Sequence, residues 1–208
     1  MSKKVLIVFA HPERNSLNGQ FLDEIIDQLK TQGDKFKLSD LYGMGWKSEV
    51  DINDFPDYPK DKVFQPSYAS KKYHQFTPDV IEEQNKLIWA DTVLFVFPLW
   101  WYNLPAILKG WFDRVFSSTE YWKNKTVMGK NVSLIVTMGA TAAENYDPHD
   151  PIKDVDQLLS NIFRTFYSGR MNPWTPLYFF GVAHVTSEDV KAMKAKVRDF
   201  IRNIPSSY

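Results

Sequence analysis

The stretch Thr92-Val93-Leu94-Phe95-Val96-Phe97-Pro98-Leu99-Trp100-Trp101-Tyr102-Asn103-Leu104-Pro105, in the middle of the chain, decides the fold class. Its first six residues form an unbroken apolar run, which is typical of a strand buried on both faces of a parallel sheet. From Ala106 to Phe116, apolar residues recur at helical spacing. The stretch therefore predicts a strand, a loop and a helix. Since large exposed apolar patches normally mark binding surfaces, we expect a flat ligand or another subunit to cover the three adjacent aromatic residues of the loop.

Apolar runs of this kind alternate with helical patterns along the whole chain. The predicted strands are Val5–Ala10, a weaker and more alternating Phe36–Leu41, Thr92–Phe97, Asn131–Thr137 and Leu177–Val185. Right-handed crossovers between parallel strands then favour an open sheet with helices on both faces. We predict an α/β fold, a flavodoxin-like doubly wound five-stranded parallel sheet in the order 2-1-3-4-5, built as a single domain over residues 1–208.

Glycine and proline mark the ends of several predicted helices. Gly33 stands where the first helix would end. Thr77-Pro78-Asp79 is a strong helix start, with the Thr77 hydroxyl as N-cap. A regular stripe from Val155 to Phe166 predicts one helix, stopped by Gly169. The inner side of the helix after Thr77 is predicted to carry Val80, Gln84, Leu87 and Ile88.

Residues 43–77 show no sustained period and contain three prolines, several charged residues and scattered aromatic residues. A segment of this length inside a compact domain is usually functional or disordered. Its aromatic residues favour an ordered segment that packs on the rest of the protein over a linker. They are Trp46, Phe55, Tyr58, Phe64, Tyr68 and Tyr73.

The composition excludes several classes of protein. Lysine plus arginine and aspartate plus glutamate both number 25, so no global field attracts nucleic acid or an acidic membrane surface. The chain has no cysteine, which excludes disulfides and thiolate metal sites, and we expect no metal. The basic residues before Val5 lead into a short first strand rather than a signal peptide, and no apolar run reaches the roughly 18 residues of a membrane span. We expect a cytoplasmic protein.

In the predicted order, the loops 11–16, 98–105 and 138–143 meet at the carboxyl ends of the strands. The first loop lacks a glycine-rich fingerprint but precedes a helix N-terminus, whose N–H groups suit phosphate. The aromatic loop offers a flat wall, and Gly139-Ala140 allows close approach of a ligand. Each loop alone also has a structural interpretation, as a helix cap, a hydrophobic elbow or dimer contact, and an ordinary turn. Together they suit a planar, phosphate-bearing cofactor, of which a flavin is the natural candidate.

Several motifs extend this interpretation: Ala10-His11-Pro12-Glu13-Arg14-Asn15-Ser16-Leu17-Asn18, Asp40-Leu41-Tyr42-Gly43-Met44, Glu83-Gln84-Asn85-Lys86-Leu87 with Ala90-Asp91, and Phe97-Pro98-Leu99-Trp100-Trp101-Tyr102 followed by Leu104-Pro105-Ala106-Ile107-Leu108-Lys109-Gly110-Trp111-Phe112-Asp113-Arg114-Val115-Phe116. They closely resemble the NAD(P)H:quinone oxidoreductases of the DT-diaphorase type. The resemblance implies a homodimeric flavoenzyme with FAD at the subunit interface, NADH or NADPH as hydride donor and a small-molecule quinone as acceptor.

The resemblance also implies roles for individual residues. It places the diphosphate and ribityl region at His11, Asn15, Ser16, Leu17 and Asn18, and the adenosine half at Gln65. The isoalloxazine ring would be lined by Pro98, Leu99, Trp100, Trp101 and Tyr102 and contacted at its pyrimidine edge by Thr137, Met138, Gly139 and Ala140. Tyr146 and His149 are the candidates for closing the nicotinamide and quinone pocket as catalytic residues.

The mechanism expected from these residues is a ping-pong, two-electron reduction of quinone. Trp101 and Tyr102 would form the stacking wall, and backbone N–H groups of residues 99–102 and 138–140 would stabilise negative charge on the reduced flavin. Two alternatives stay open: an FMN azo- or nitroreductase on the same scaffold, and a flavin-binding regulatory subunit of a transporter or other partner.

Overall fold

The computed structural model describes residues 2–72, 76–117, 126–141 and 154–206. Its strands form one parallel sheet in the order β2-β1-β3-β4-β5, with a further short strand, β6, also paired to β4. The predicted flavodoxin-like order 2-1-3-4-5 is therefore confirmed. The strands are β1 (Lys4–Phe9), β2 (Lys35–Asp40), β3 (Thr92–Pro98), β4 (Asn131–Thr137), β5 (Asn172–Pro173) and β6 (Leu177–Phe179).

Helices cover both faces of the sheet. The first and last pack on one face, where they enclose the inward side chains of β1 such as Val5, Ile7 and Phe9. Most of the others lie on the opposite face around Phe95 and Trp111. We number the described helices α1 (Leu17–Thr31), α2 (Pro66–Lys72), α3 (Pro78–Trp89), α4 (Ala106–Val115), α5 (Val155–Leu158), α6 (Ser160–Ser168) and α7 (Ser187–Arg202), with 3-10 turns at Ile52–Asp54 and Val182–His184.

The fifth strand differs from the predicted Leu177–Val185. It is split into β5 and β6, which pair with the beginning and the end of β4. Pro173 and Pro176 have no N–H to donate across the interruption. The Ser133 hydroxyl of β4 instead donates to the carbonyls of Trp174 and Thr175, at 3.2 and 3.3 Å. Beyond Phe179 the chain leaves the sheet, because Gly181 adopts a left-handed turn with a φ of 66°.

The predicted helix ends are partly right. Gly33, with a φ of 71°, follows the end of α1 as expected. The continuous helix predicted from Val155 to Phe166 is wrong, since it breaks at Leu159, where the backbone leaves helical geometry. Thr77 precedes α3 as predicted, but its hydroxyl makes no capping hydrogen bond.

The inner face of α3 carries a buried charge that the apolar pattern missed. Val80, Gln84 and Leu87 are buried as predicted, whereas Ile88 is 50% exposed. Glu83 takes the fourth inward position with no exposed surface. Its carboxylate accepts a 2.8 Å hydrogen bond from Trp111 Nε1 and pairs with Lys86 Nζ at 2.7 Å. These two partners compensate the cost of burying the charge.

The 43–77 segment packs on the body of the protein, as its aromatic residues predicted. Trp46, Phe55 and Tyr58 are 5% exposed or less, and Phe64 is half-buried against the same core. The Tyr68 side chain and Tyr73 lie outside what the structure describes. None of the described helices has the length and apolar character that a membrane span needs.

Candidate functional site

The three predicted loops meet in a cavity of about 510 Å³ at the carboxyl ends of β1, β3 and β4. Parallel strands end at the same edge of a sheet, so this is the place where ligands of such folds bind. The cavity is lined by His11, Ser16, Leu17, Asn18, Pro98, Leu99, Trp100, Trp101, Thr137, Gly139 and Val182.

One side of the cavity is the N-terminus of α1. The Ser16 side chain caps the helix by accepting the N–H of Gly19 at 3.2 Å. Within the described chain, no acceptor receives the N–H groups of Leu17 and Asn18. Two free N–H groups at the positive end of a 15-residue helix suit a phosphate oxygen. The positive charge of Arg14, close to this helix end, is paired with the Asp23 carboxylate.

Asn18 carries a buried polar atom that needs a partner. The residue is 3% exposed, and its Nδ2 donates to Thr137 Oγ1 at 2.6 Å. Its Oδ1 is buried without a hydrogen bond. A buried unpaired acceptor costs about 1–3 kcal/mol, so its presence beside a cavity points to a ligand that donates to it.

His11 lies on the rim of the cavity, where its pKa is lowered. Burial lowers the pKa of this imidazole below its ordinary value, and the opposing effect of Glu13 does not reverse the shift. His11 Nδ1 lies 3.0 Å from both the backbone N–H and the carbonyl oxygen of Glu13, which fixes the ring against this turn in either tautomer. The ring contacts Trp100 edge to face, with centroids 6.0 Å apart.

The aromatic loop is a strained two-residue hairpin. Trp100 and Asn103 exchange both backbone hydrogen bonds, each at 3.0 Å. Trp101 and Tyr102 between them have φ values of 48° and 61°, which defines a type I′ turn. This turn normally takes Asn-Gly, because side chains with a Cβ are disfavoured at positive φ. It displays Trp101 at 94% exposure and Tyr102 at 63%.

The backbone groups of the loops are less available than the sequence predicted. The N–H of Leu99 donates to Thr137, that of Trp100 to Asn103 and that of Met138 to Phe179, at 2.8, 3.0 and 2.8 Å. The expectation that these three groups stabilise a ligand's charge is therefore wrong. A Cβ added to Gly139 would meet nothing within 4 Å, so the backbone there is open to the cavity.

Some of the predicted site residues lie away from this cavity. Asn15 is exposed and its N–H donates to the Glu13 carboxylate at 2.7 Å. Met138 is buried beneath the loop, and Gln65 is exposed on the 43–77 segment. Tyr102 and Ala140 also stand outside the lining. The catalytic candidates Tyr146 and His149 lie outside the described residues.

Val182 lines the cavity and was missed by the sequence reasoning. Its N–H donates to the Met138 carbonyl at 3.0 Å, and the Gly181 N–H donates to Ala140 at 2.8 Å. The two bonds bring the turn after β6 against the 138–140 loop. Gly181 was the available signal, since a glycine within a predicted strand often marks a turn.

The cavity offers groups that suit a flavin. It combines free N–H groups for phosphate, an unpaired buried acceptor at Asn18 and an adjacent exposed aromatic turn. Among the described residues, no group of three or more histidine, aspartate or glutamate side chains could hold a metal ion.

The chain is similar to known proteins over most of its length. The model of a family described as having a flavodoxin-like fold matches residues 3–202. A ribosyldihydronicotinamide dehydrogenase-like protein of Penicillium crustosum is 41% identical over 226 residues, covering 97% of this chain and 83% of the relative. The rat NAD(P)H dehydrogenase [quinone] 1 is 44% identical over 151 residues, which cover 68% of this chain but only 55% of the rat protein.

Solved structures show the same architecture. The crystal structure of a Klebsiella pneumoniae protein assigned as a quinone reductase superposes with a TM-score of 0.88 at 33% identity, covering 99% of this chain and 86% of that one. An NAD(P)H:quinone oxidoreductase from Methanothermobacter marburgensis superposes with a TM-score of 0.79 over the full length of both chains, at 22% identity, which bears on the fold alone.

Proposed function

Because this chain belongs to the flavodoxin-like family, we propose that it is a flavin-dependent NAD(P)H dehydrogenase that reduces quinones by two electrons. The observation that carries the proposal is the convergence of three loops on one cavity, where free N–H groups of α1 and the unpaired Asn18 Oδ1 lie beside the exposed turn at Trp101. Relatives over 40% identical bear the names of dehydrogenases of this kind.

The chain's own residues would divide the work of binding. The Leu17 and Asn18 N–H groups would hold a phosphate, and Asn18 Oδ1 would accept a hydrogen bond from the cofactor. Trp101 and Tyr102, held by the Trp100–Asn103 hairpin, would form one wall for a planar ring. A bound flavin would supply the redox chemistry, since it accepts a hydride from the nicotinamide and passes it to the quinone.

We propose FAD as the flavin, held within a single domain of residues 1–208. Gln65 would contact the adenosine half, which gives the ordered 43–77 segment a role outside the three-loop cavity. FMN is the alternative, and it would make no use of Gln65. The solved neighbours include FMN-bound proteins at 22% and 17% identity, a level that bears on the fold alone.

The hydride donor is NADH or NADPH in this proposal, with ribosyldihydronicotinamide as a specific second candidate. The Penicillium crustosum relative is named a ribosyldihydronicotinamide dehydrogenase-like protein, and the mouse protein, 39% identical over 150 residues, is named ribosyldihydronicotinamide dehydrogenase [quinone]. This compound lacks the adenosine diphosphate portion of the dinucleotides. A comparison of the three donors under the same conditions separates the two assignments.

Tyr146 and His149 complete the proposed site as hydrogen-bonding groups for the nicotinamide and quinone pocket. We also propose a homodimer in which a second subunit covers part of the aromatic turn. Trp101, exposed over 94% of its surface, would then lie between the ligand and the partner.

The test is the identity of the flavin and the turnover that it supports. The flavin released from purified protein is identified by chromatography, and menadione reduction is followed with NADH, NADPH and ribosyldihydronicotinamide. The proposal predicts bound FAD, parallel double-reciprocal plots and lower activity in Tyr146→Phe and His149→Gln. Ile88→Ala, which alters an exposed apolar residue on α3, serves as the matched control and leaves turnover unchanged. Colourless protein that neither binds added flavin nor oxidises any donor contradicts the proposal.

A further inference from the structure

One buried guanidinium joins both ends and the middle of the 43–77 segment. The Arg114 side chain on α4 is 1% exposed. Its Nη1 donates to the Lys47 carbonyl at 3.0 Å, near the beginning of the segment. Its Nε and Nη2 donate to Asp54 Oδ1 at 3.0 and 2.8 Å, in the middle. Nη2 also reaches Thr77 Oγ1 at 3.3 Å, at the end of the segment, and Asp79 Oδ2 at 2.7 Å, in the first turn of α3.

The charges around Arg114 are paired within a cluster of two cations and three carboxylates. Asp54 is 3% exposed in its side chain and also pairs with Lys47 Nζ at 3.3 Å. Lys47 in turn pairs with Asp51 at 2.7 Å. Burial opposes ionisation of Asp79, but hydrogen bonds with Thr77 and Arg114 and the charge of Arg114 hold its pKa below the ordinary value. Removing Arg114 therefore leaves the buried Asp54 with the more exposed Lys47 as its remaining ion-pair partner, and removing Asp54 leaves Arg114 with the partly exposed Asp79.

A glycine one turn earlier on α4 adds an independent contact with the same segment. A Cβ built on Gly110 would lie 2.1 Å from the Ser48 carbonyl oxygen and 2.5 Å from the Ser48 Cα. Gly110 and Arg114, four residues apart, therefore lie on one face of the helix, against residues 47–48. The Arg114 guanidinium also stacks 4.4 Å from the ring centroid of the buried Trp46. This face of α4 receives the 43–77 segment.

A chain of contacts leads from Asp54 to Gln65. Phe55, next to Asp54, contacts the Phe64 ring at a centroid distance of 5.8 Å. Tyr58 contacts Phe64 at 5.4 Å, and its hydroxyl donates to the Val63 carbonyl at 2.7 Å. Gln65 itself is exposed, so its position is set by these neighbours rather than by its own burial.

We propose that Arg114 is a positioning residue for the adenosine half of FAD, because it holds the 43–77 segment in the arrangement that presents Gln65. The inference rests on the proposed FAD site. It gives the buried ion cluster a role in selecting FAD over FMN, since only the longer cofactor would use Gln65. A segment that is docked for a smaller fraction of the time binds more weakly in proportion to that fraction.

The test compares the affinities of apo-protein for FAD and for FMN in wild type, Arg114→Met and Asp54→Asn. Asp54→Asn keeps the side-chain shape and leaves Arg114 paired with Asp79. The flavin affinities of this variant can therefore be measured even where Arg114→Met does not fold. We expect the FAD dissociation constant to rise about tenfold in either variant, with FMN affinity within about twofold of wild type. Hydrogen exchange should rise in residues 46–66 while β1 and β3 stay protected. Arg114→Lys, which keeps the charge but not the fork of donors, should restore part of the FAD affinity.

The control is Arg202→Gln, which removes an exposed ion pair with Asp199 on α7 and should change neither affinity. Equal losses of FAD and FMN affinity, or unchanged FAD affinity in a variant whose 46–66 exchange has risen, overturn the role of Arg114 and leave the flavin site standing. Equal affinity of the wild-type protein for FAD and FMN would also overturn the role of Arg114. A wild-type protein that binds neither flavin overturns the proposed function together with this inference.

Discussion

Replacing Trp101 in the type I′ turn should raise the stability of the apo-protein and lower its flavin binding or activity. Trp101 has a φ of 48° and is 94% exposed, so the folded protein carries its strain and gains little from its burial. A left-handed backbone costs about 1–2 kcal/mol at a residue with an ordinary Cβ, and asparagine tolerates it better than most. Burying the remaining small part of the ring, about 15 Å² of a side chain of roughly 250 Å², contributes only about 0.4 kcal/mol. Trp101→Asn should therefore stabilise the apo-protein by about 0.5–1 kcal/mol.

The measurement is calorimetric unfolding of apo-protein, beside flavin affinity and quinone turnover. For a chain of this size, the expected gain corresponds to a rise in Tm of about 1–4 °C. Loss of the stacking wall should weaken flavin binding or lower kcat/KM by up to about tenfold. Trp101→Val is the matched control, because a β-branched residue fits a positive φ poorly and should lower Tm. If both variants lower Tm equally, the turn is not strained; if Trp101→Asn keeps full flavin affinity and activity, the ring is not part of the site.

Three further predictions test the packing and the cavity. Asn18→Ala removes the buried unpaired acceptor and should weaken flavin binding about tenfold in equilibrium titration, and unchanged affinity would exclude a hydrogen bond to the cofactor. Gly110→Ala should destabilise the protein by about 1–3 kcal/mol in urea unfolding, because the new Cβ has no room beside Ser48. Gly139→Ala should change the stability of the apo-protein by no more than about 0.5 kcal/mol and should weaken flavin binding. Similar stabilities of the two variants would refute the close approach at α4. Trp111→Phe removes the donor to Glu83 and should cost about 2–3 kcal/mol in the same assay, and a neutral effect would mean that the carboxylate finds another partner.

The sequence predicts the sheet well because β1, β3 and β4 are nearly continuous apolar runs, a pattern that few other structures produce. The last strand could not be predicted in this way. Its apolar residues continue past Phe179, but Pro173, Pro176 and the left-handed Gly181 divide it into short pieces and a turn. The pattern of apolar residues does not indicate which backbone N–H and C=O groups have hydrogen-bond partners.

The position of the candidate site also follows from the order of the strands, whereas its internal geometry does not. Nothing in the composition of Trp101-Tyr102 indicates a type I′ turn, since neither residue favours positive φ. The burial of charged side chains is difficult to predict from the sequence for a similar reason. Glu83 and Arg114 resemble solvent-facing positions in their helices, and only the surrounding structure supplies the partners that allow their burial.

The most direct test of the central claim is anaerobic rapid mixing of the flavin-loaded protein with NADH and then with a quinone. The visible absorbance of the bound flavin should disappear on mixing with the nicotinamide and return fully on addition of the quinone, with both steps at least as fast as steady-state turnover. In Asn18→Ala, the flavin should be retained less well under the same conditions. A bound flavin that NADH, NADPH and ribosyldihydronicotinamide all fail to reduce, or a reduced flavin that quinones do not reoxidise, would contradict the assignment as a quinone reductase.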